Sequence, residues 1–187
     1  MNTDLVEKHR DINVDHDWWD CIYGHFTEDM QEKHIVVSDM CFTGFWSQGD
    51  GAFFSGYIDD TKAFLVTHDI AETYPWVMRL LAMGGDCNIA INRWRTTVSA
   101  EVSEACTFQQ LVPDGDDVRQ IVAEQWDREL QIELDGLDNH VTRLVRSYCC
   151  DLYRRLEGEY NYLTSDEAVW DAIEANDLDK VMEGGHQ

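Results

Sequence analysis

Lysine and arginine are scarce in this chain, 14 against 37 aspartates and glutamates, which leaves a formal net charge of −23 over 187 residues. DNA, RNA and anionic membrane surfaces would be repelled over a Debye length, roughly 8 Å at physiological salt. Direct nucleic-acid binding is thereby excluded, and basic protein surfaces would be attracted instead. No stretch approaches the roughly 20 apolar residues of a membrane-spanning helix, and Met1 to Asp20 is polar and charged instead of signal-like, so a soluble, cytoplasmic protein is expected. Cys21, Cys41, Cys87, Cys106, Cys149 and Cys150 form no CxxC and no Cys/His pair at zinc-finger spacing, which predicts free thiols. Cys149 and Cys150 point about 100° apart on a helix, so a bridge between them is not expected. There is no internal repeat, no low-complexity segment and no Ser/Pro linker. One domain covering 1–187 follows from that length and continuity.

What the chain does have is an apolar complement of 44% hydrophobic and 11% aromatic residues, enough to place its charge on a folded body. Residues 1–16 lack periodicity and predict a loosely held lead-in. Over Asp17 to Lys33, Trp18, Trp19, Ile22, Tyr23, Phe26 and Met30 recur at helical spacing; of the two tryptophans, one is expected in the core and one partly exposed. From Ile35 the period changes to two, with Val36, Met40, Phe42 and Trp46 on one face and Asp39, Cys41 and Thr43 on the other. Ser47 to Gly51 reads as a turn and Ala52 to Ile58 as the second strand of a hairpin. Thr61 to Ile70 and Pro75 to Met83 predict two short helices, stopped by Gly84 and Gly85. Cys87, Ile89 and Ile91, then Val98, Ala100 and Val102, predict a second hairpin.

Beyond Pro113 the spacing is helical. Val118, Ile121, Val122, Trp126 and Leu130 form one stripe; Val141, Leu144, Val145, Tyr148, Leu152 and Leu156 form another, with Gly136 and its flanking aspartates expected to separate them. Thr164 and Glu167 have capping-box spacing and open a last short helix, and 177–187 reads as a frayed tail. The predicted fold class is α+β: an antiparallel four-stranded sheet of two hairpins packed by helices, with a helical C-terminal third.

The densest local motif runs from Gly44 to Ala52. A phosphate cradle would need a strand leading into a helix and a nearby cation, and neither is present, so a structural hairpin is favoured. Should the loop be functional, Ser47, Gln48 and Asp50 are the side chains it offers. His16 with Asp20, Asp17 with Cys21, and Cys21 with His25 have the i, i+4 spacing of metal ligands, but acidic helices produce such pairs by chance; no metal and no cofactor are predicted. His68 and Asp69 lack an accompanying activated nucleophile, which favours a surface or helix-end histidine. Arg93, Trp94 and Arg95 fall at a hairpin tip and are expected to pair with carboxylates. Residues 111–187 carry 19 acidic and 7 basic side chains. Asp116, Asp117, Glu124, Asp127, Glu133, Asp135 and Asp138 are therefore the candidate partner-binding residues, able to imitate a run of phosphates along a rigid helix.

In Asp17-Trp18-Trp19-Asp20, in Phe42 to Ala52 (FTGFWSQGDGA) and in Glu159 to Ala168 (EYNYLTSDEA), the sequence resembles a widespread group of small bacteriophage proteins, some labelled antitoxins of toxin–antitoxin systems. Many of that group have a His/Cys-bearing strand in the second hairpin, where this chain has Arg93-Trp94-Arg95-Thr96-Thr97, so no metal role carries over. The resemblance implies a phage origin and action in the host-cell cytoplasm, and it supplies no catalytic residues. The expected function is a non-enzymatic protein that binds and inhibits a host protein with a basic surface, such as a nucleic-acid-binding or anti-phage defence enzyme. The alternatives are an antitoxin-like neutraliser of a cognate toxin and a metal-dependent, nucleotide-directed hydrolase built on the Ser47 to Asp50 loop.

Overall fold

The alternation and turn signals of the middle of the chain produce four strands, β1 (Ile35–Phe42), β2 (Ala52–Ile58), β3 (Cys87–Asn92) and β4 (Thr97–Val102). They lie in the order β1-β2-β3-β4 with every neighbour antiparallel. The computed structural model describes residues 2–14, 17–92, 97–103, 106–111 and 117–178, excepting the side chains of 117 and 118; His16, Arg93 to Thr96, Asp116 and the tail beyond 178 lie outside them. The α+β class and the four-stranded antiparallel sheet are as the sequence predicts. The described residues gather into two compact units, 26–150 and 1–25 with 151–187.

In the 26–150 unit, β3 shows the cleanest pattern: Cys87, Ile89 and Ile91 are buried and the residues between them exposed. β1 does not keep its expected period. Its register with β2 shifts between Val37 and Asp39, and this bulge changes which side chains share a face. Gly56, paired with Ile91, permits close strand approach: a Cβ there would lie 2.0 Å from the Val36 carbonyl oxygen. Between the hairpins come α3 (Thr61–Thr67), capped by Asp60 Oδ1 on Ala63 N, a 3₁₀ turn (Ala71–Thr73), and α4 (Pro75–Ala82) with Pro75 at its first turn. The core of this unit includes Phe26, Met30, Phe54, Phe64, Leu65, Val77, Leu80 and Ile89. Phe26 and Phe54 meet edge to face at 5.5 Å.

After the short α5 (Phe108–Leu111), one helix, α6, runs the 47 residues Asp117–Leu163. Gly136 does not divide it. Leu130, Leu134, Leu137, Val141, Val145 and Cys149 are buried at helical spacing straight through that position. Tyr74 donates its hydroxyl to the Gly136 carbonyl at 3.2 Å, a tertiary contact with no local signature. The first predicted stripe is also corrected: Ala123 and Leu130 are buried, but Ile121 is 62% and Val122 37% exposed.

In the other unit, α1 (Thr3–Lys8) replaces the expected loose lead-in. Asn2 caps it by accepting from Asp4 N and Leu5 N, and Leu5 and Val6 bury against Val169 and Ile173 of α7 (Asp166–Ala175). Arg10 donates to the Thr164 carbonyl and to Asp166, and Asn13 to the carbonyls of Leu163 and Ala168. A six-residue helix gains its stability from such packing and not from propensity, so periodicity could not reveal it. α7 is capped one residue later than predicted, by Ser165 on Ala168 N, while the Thr164 hydroxyl donates back to Tyr160 O. α2 (Asp20–Gln31) starts three residues inside the predicted helix. Trp18 and Trp19 are both half-buried, edge to face with each other at 5.7 Å, and Trp18 also meets Tyr160.

Candidate functional site

A carboxylate on a helix can serve a partner only if it is not already committed within the fold. Of the seven candidate acids, Asp116 lies outside the described residues, and of Asp117 only the backbone, at the start of α6, is described. Glu133 accepts through Oε2 from the amides of Trp76 (2.8 Å) and Val77 (3.0 Å). It thus caps α4, whose own N-cap residue, Tyr74, makes no side-chain cap bond. Asp127 does the same for α5, taking Phe108 N at 2.8 Å and Gln109 N at 3.3 Å. Asp138 accepts from Ala100 N at 2.6 Å, and one turn on the Thr142 hydroxyl accepts from Val98 N at 3.3 Å. Alternate amides of the edge strand β4 are therefore met by residues four apart on α6, which closes that edge to a further strand. Burial pushes the Glu133 and Asp138 carboxyls above their usual range, and the backbone bonds they accept oppose that shift. Glu124 and Asp135 remain exposed, Asp135 accepting from Gln131 at 3.0 Å. Three carboxylates of the predicted row are engaged inside the fold and two face solvent.

Two further constellations lie apart from these carboxylates, and the sequence singles out only one of their members, His68, as a surface or helix-end histidine. Arg79 of α4 lies over Trp126 of α6, 3.8 Å from the ring centroid, and 5.4 Å from that of Trp76, beside Phe108. His68, the C-cap of α3, is held at both nitrogens: Nδ1 is 2.8 Å from Phe64 O and Nε2 2.7 Å from the Tyr148 hydroxyl. A carbonyl only accepts, so Nδ1 carries the proton and in the neutral ring Tyr148 donates to Nε2. Burial lowers the pKa of His68, the bond to the Phe64 carbonyl opposes that shift, and repulsion by Lys33, His34 and His140 adds to it. Among the described residues, no group of three or more His, Cys, Asp or Glu is placed to hold a metal. The Cys87 thiol is pushed up to about 12, chiefly by burial.

The Gly44 to Ala52 motif forms the tip of the first hairpin, a loop closed by the Phe42–Ala52 pair. Thr43 N donates to Gly51 O at 3.0 Å and Gly51 N to the Thr43 hydroxyl at 3.1 Å. Asp50 folds back to accept from Ser47 N at 2.7 Å, and its own amide donates to Ser47 O at 3.2 Å. Of the three side chains proposed for this loop, Asp50 is committed to holding it, while Ser47 and Gln48 are exposed. Trp46 is not on the face of β1 as predicted. It sits within the loop at φ +66°, 66% exposed, with Phe42, Phe45 and Trp46 in successive ring contact at 5.5 and 5.7 Å.

The chain belongs to a family described as a domain of unknown function (DUF8835), whose model matches residues 18–166. That span contains the sheet, the Trp46 loop and all of α6. No curated protein and no solved structure matches the chain.

Proposed function

We propose that this member of the family acts by binding, and thereby inhibiting, a protein with a basic surface. The observation that carries this reading is the net charge of −23 on a folded α+β body. At that charge a cationic surface is drawn in and orientated from beyond contact distance, whereas nucleic acid is kept away. Glu124 and Asp135, exposed on the rigid α6, supply contact carboxylates. Asp127, Glu133 and Asp138 do not extend them into a continuous phosphate-like row, because each is occupied by backbone amides. The reading is accordingly one of charge complementarity with a protein, with close imitation of DNA left unsupported by those three positions. A phage origin, implied by the motif resemblance, would make the target a host nucleic-acid-binding or anti-phage defence enzyme. Affinity capture from bacterial lysate tests it: a basic protein should be retained at low salt and released as salt rises. Retention of nothing at low salt contradicts it.

A further inference from the structure

Between β4 and the stretch of α6 from Asp127 to Leu134 lies an open cleft of about 420 Å³, wholly within the 26–150 unit. Its size falls in the range of small-molecule clefts, roughly 300–1,000 Å³. Leu130 and Leu134, one turn apart on α6 and otherwise buried, line it together with Val102 of β4. Its polar lining includes Glu101, Asp127 and Gln131. Glu101 enters no hydrogen bond or ion pair among the described residues. Asp127 is held in place by the amides of Phe108 and Gln109, but a carboxylate has about four acceptor sites, so others remain open. Gln131 donates its amide N–H to Asp135, which leaves its carbonyl oxygen as an acceptor.

Those three side chains present acceptors beside an aliphatic floor, and that combination is selective. A phosphate-bearing ligand meets no lysine or arginine among the lining residues. A bare divalent metal ion finds no set of three ligands among the described residues and gains nothing from Leu130 and Leu134. A cationic N–H donor on a chain of methylenes satisfies both features. The surroundings favour a cation as well. Burial raises the neighbouring Asp138 carboxyl, the Ala100 amide opposes that shift, and repulsion by Asp135 and Glu101 adds to the rise, so negative charge is crowded beside the cleft.

We infer that this cleft is a binding site for a linear aliphatic diamine or polyamine. Its methylenes lie over Leu130, Leu134 and Val102, and its ammonium groups donate to Glu101, Asp127 and the Gln131 carbonyl. This goes beyond the proposed function and does not depend on it: the ligand is a small organic cation, whereas the partner proposed above is a protein.

The full chain is titrated with spermidine and with 1,4-diaminobutane at about 0.15 M salt, which screens diffuse attraction to the acidic surface, and backbone and methyl resonances are followed by NMR. Saturable shifts are expected at Glu101, Val102, Leu130, Gln131 and Leu134. Glu101→Gln should weaken spermidine binding by about fivefold or more, the loss of one charge-assisted bond. Glu28→Gln, which removes the same charge from an exposed position on α2, should stay within about twofold of wild type. Magnesium ion, equal in charge to the diamine but without methylenes, should leave the Leu130 and Leu134 methyls unmoved. Shifts that spread over the surface without saturating, equal losses in the two variants, an equal response to magnesium, or no response to either amine overturn the inference and leave the charge-based function standing. A lysine-rich peptide that moves the same resonances when spermidine does not would make the occupant a protein side chain, which also overturns it.

Discussion

Replacing Glu133 by alanine removes the acceptor of two backbone amides at the start of α4 and puts nothing in its place. Pro75 already contributes no N–H there and Tyr74 provides no cap, so Trp76 N and Val77 N lose their acceptor together. Loss of a helix cap costs about 1 kcal/mol, and a charged acceptor bonded to two half-buried amides belongs toward the upper end, about 1–2 kcal/mol. Glutamine retains an acceptor oxygen and is relieved of the burial penalty on the charge, so Glu133→Gln is expected to lose only about 0.5 kcal/mol. The pH dependence has a definite sign. The folded carboxyl has a raised pKa, so between its unfolded and folded values the native state binds more protons than the unfolded state. The advantage of wild type over Glu133→Gln should therefore grow as pH falls through the folded pKa and shrink above it. Urea denaturation followed by tryptophan fluorescence across pH 4 to 8, a range of about four units chosen to bracket ordinary carboxyl values, measures both quantities. Glu133→Ala indistinguishable from wild type would refute the assignment of this carboxylate as the α4 cap, and a pH trend of the opposite sign would refute burial as the dominant influence on its pKa.

Gly136→Ala should stabilise the protein by about 0.5–1 kcal/mol in the same assay, because the helix continues through it and the added Cβ meets only Tyr74 Cε1 at 3.7 Å. Gly56→Ala should lose at least about 3 kcal/mol or fail to fold, since its Cβ would overlap the Val36 carbonyl; expression and thermal melting report this. His68, whose folded pKa is lowered, should contribute stability in full above its unfolded value of about 6.5 and lose it as pH falls toward the folded value. NMR titration of the His68 ring should accordingly show a midpoint below that of the same histidine in the urea-unfolded chain, and an equal or higher midpoint counts against the burial argument.

Where the signal is local, the sequence is a reliable guide to this fold. Ala52 to Ile58, the start of α3 at Thr61, the start of α4 at Pro75 and the alternation of β3 all follow from spacing and turn chemistry within a few residues. Misreadings arise where a distant contact overrides a local one. Gly136 between two aspartates has the form of a helix break, but buried leucines at 134 and 137 and the hydroxyl of Tyr74 hold the helix through it. Leu5 and Val6 are too few to show a period and fold only against Val169 and Ile173. Trp46 is displaced from its predicted face because β1 ends at Phe42 and the loop begins before it. The acids of α6 illustrate the same limit at the candidate site. Asp127, Glu133 and Asp138 differ from Glu124 and Asp135 by nothing in their own spacing; they differ in which backbone amides lie opposite, and those come from elements 19 to 57 residues away.

The division between committed and available carboxylates provides the most direct test of the function proposed for this family member. A variant carrying Glu124→Gln and Asp135→Asn, compared with wild type as bait in low-salt capture from bacterial lysate, should unfold at an unchanged urea concentration and retain several-fold less of a salt-labile basic protein. Retention that is equal in the two baits, insensitive to salt, or absent from wild type would contradict the account.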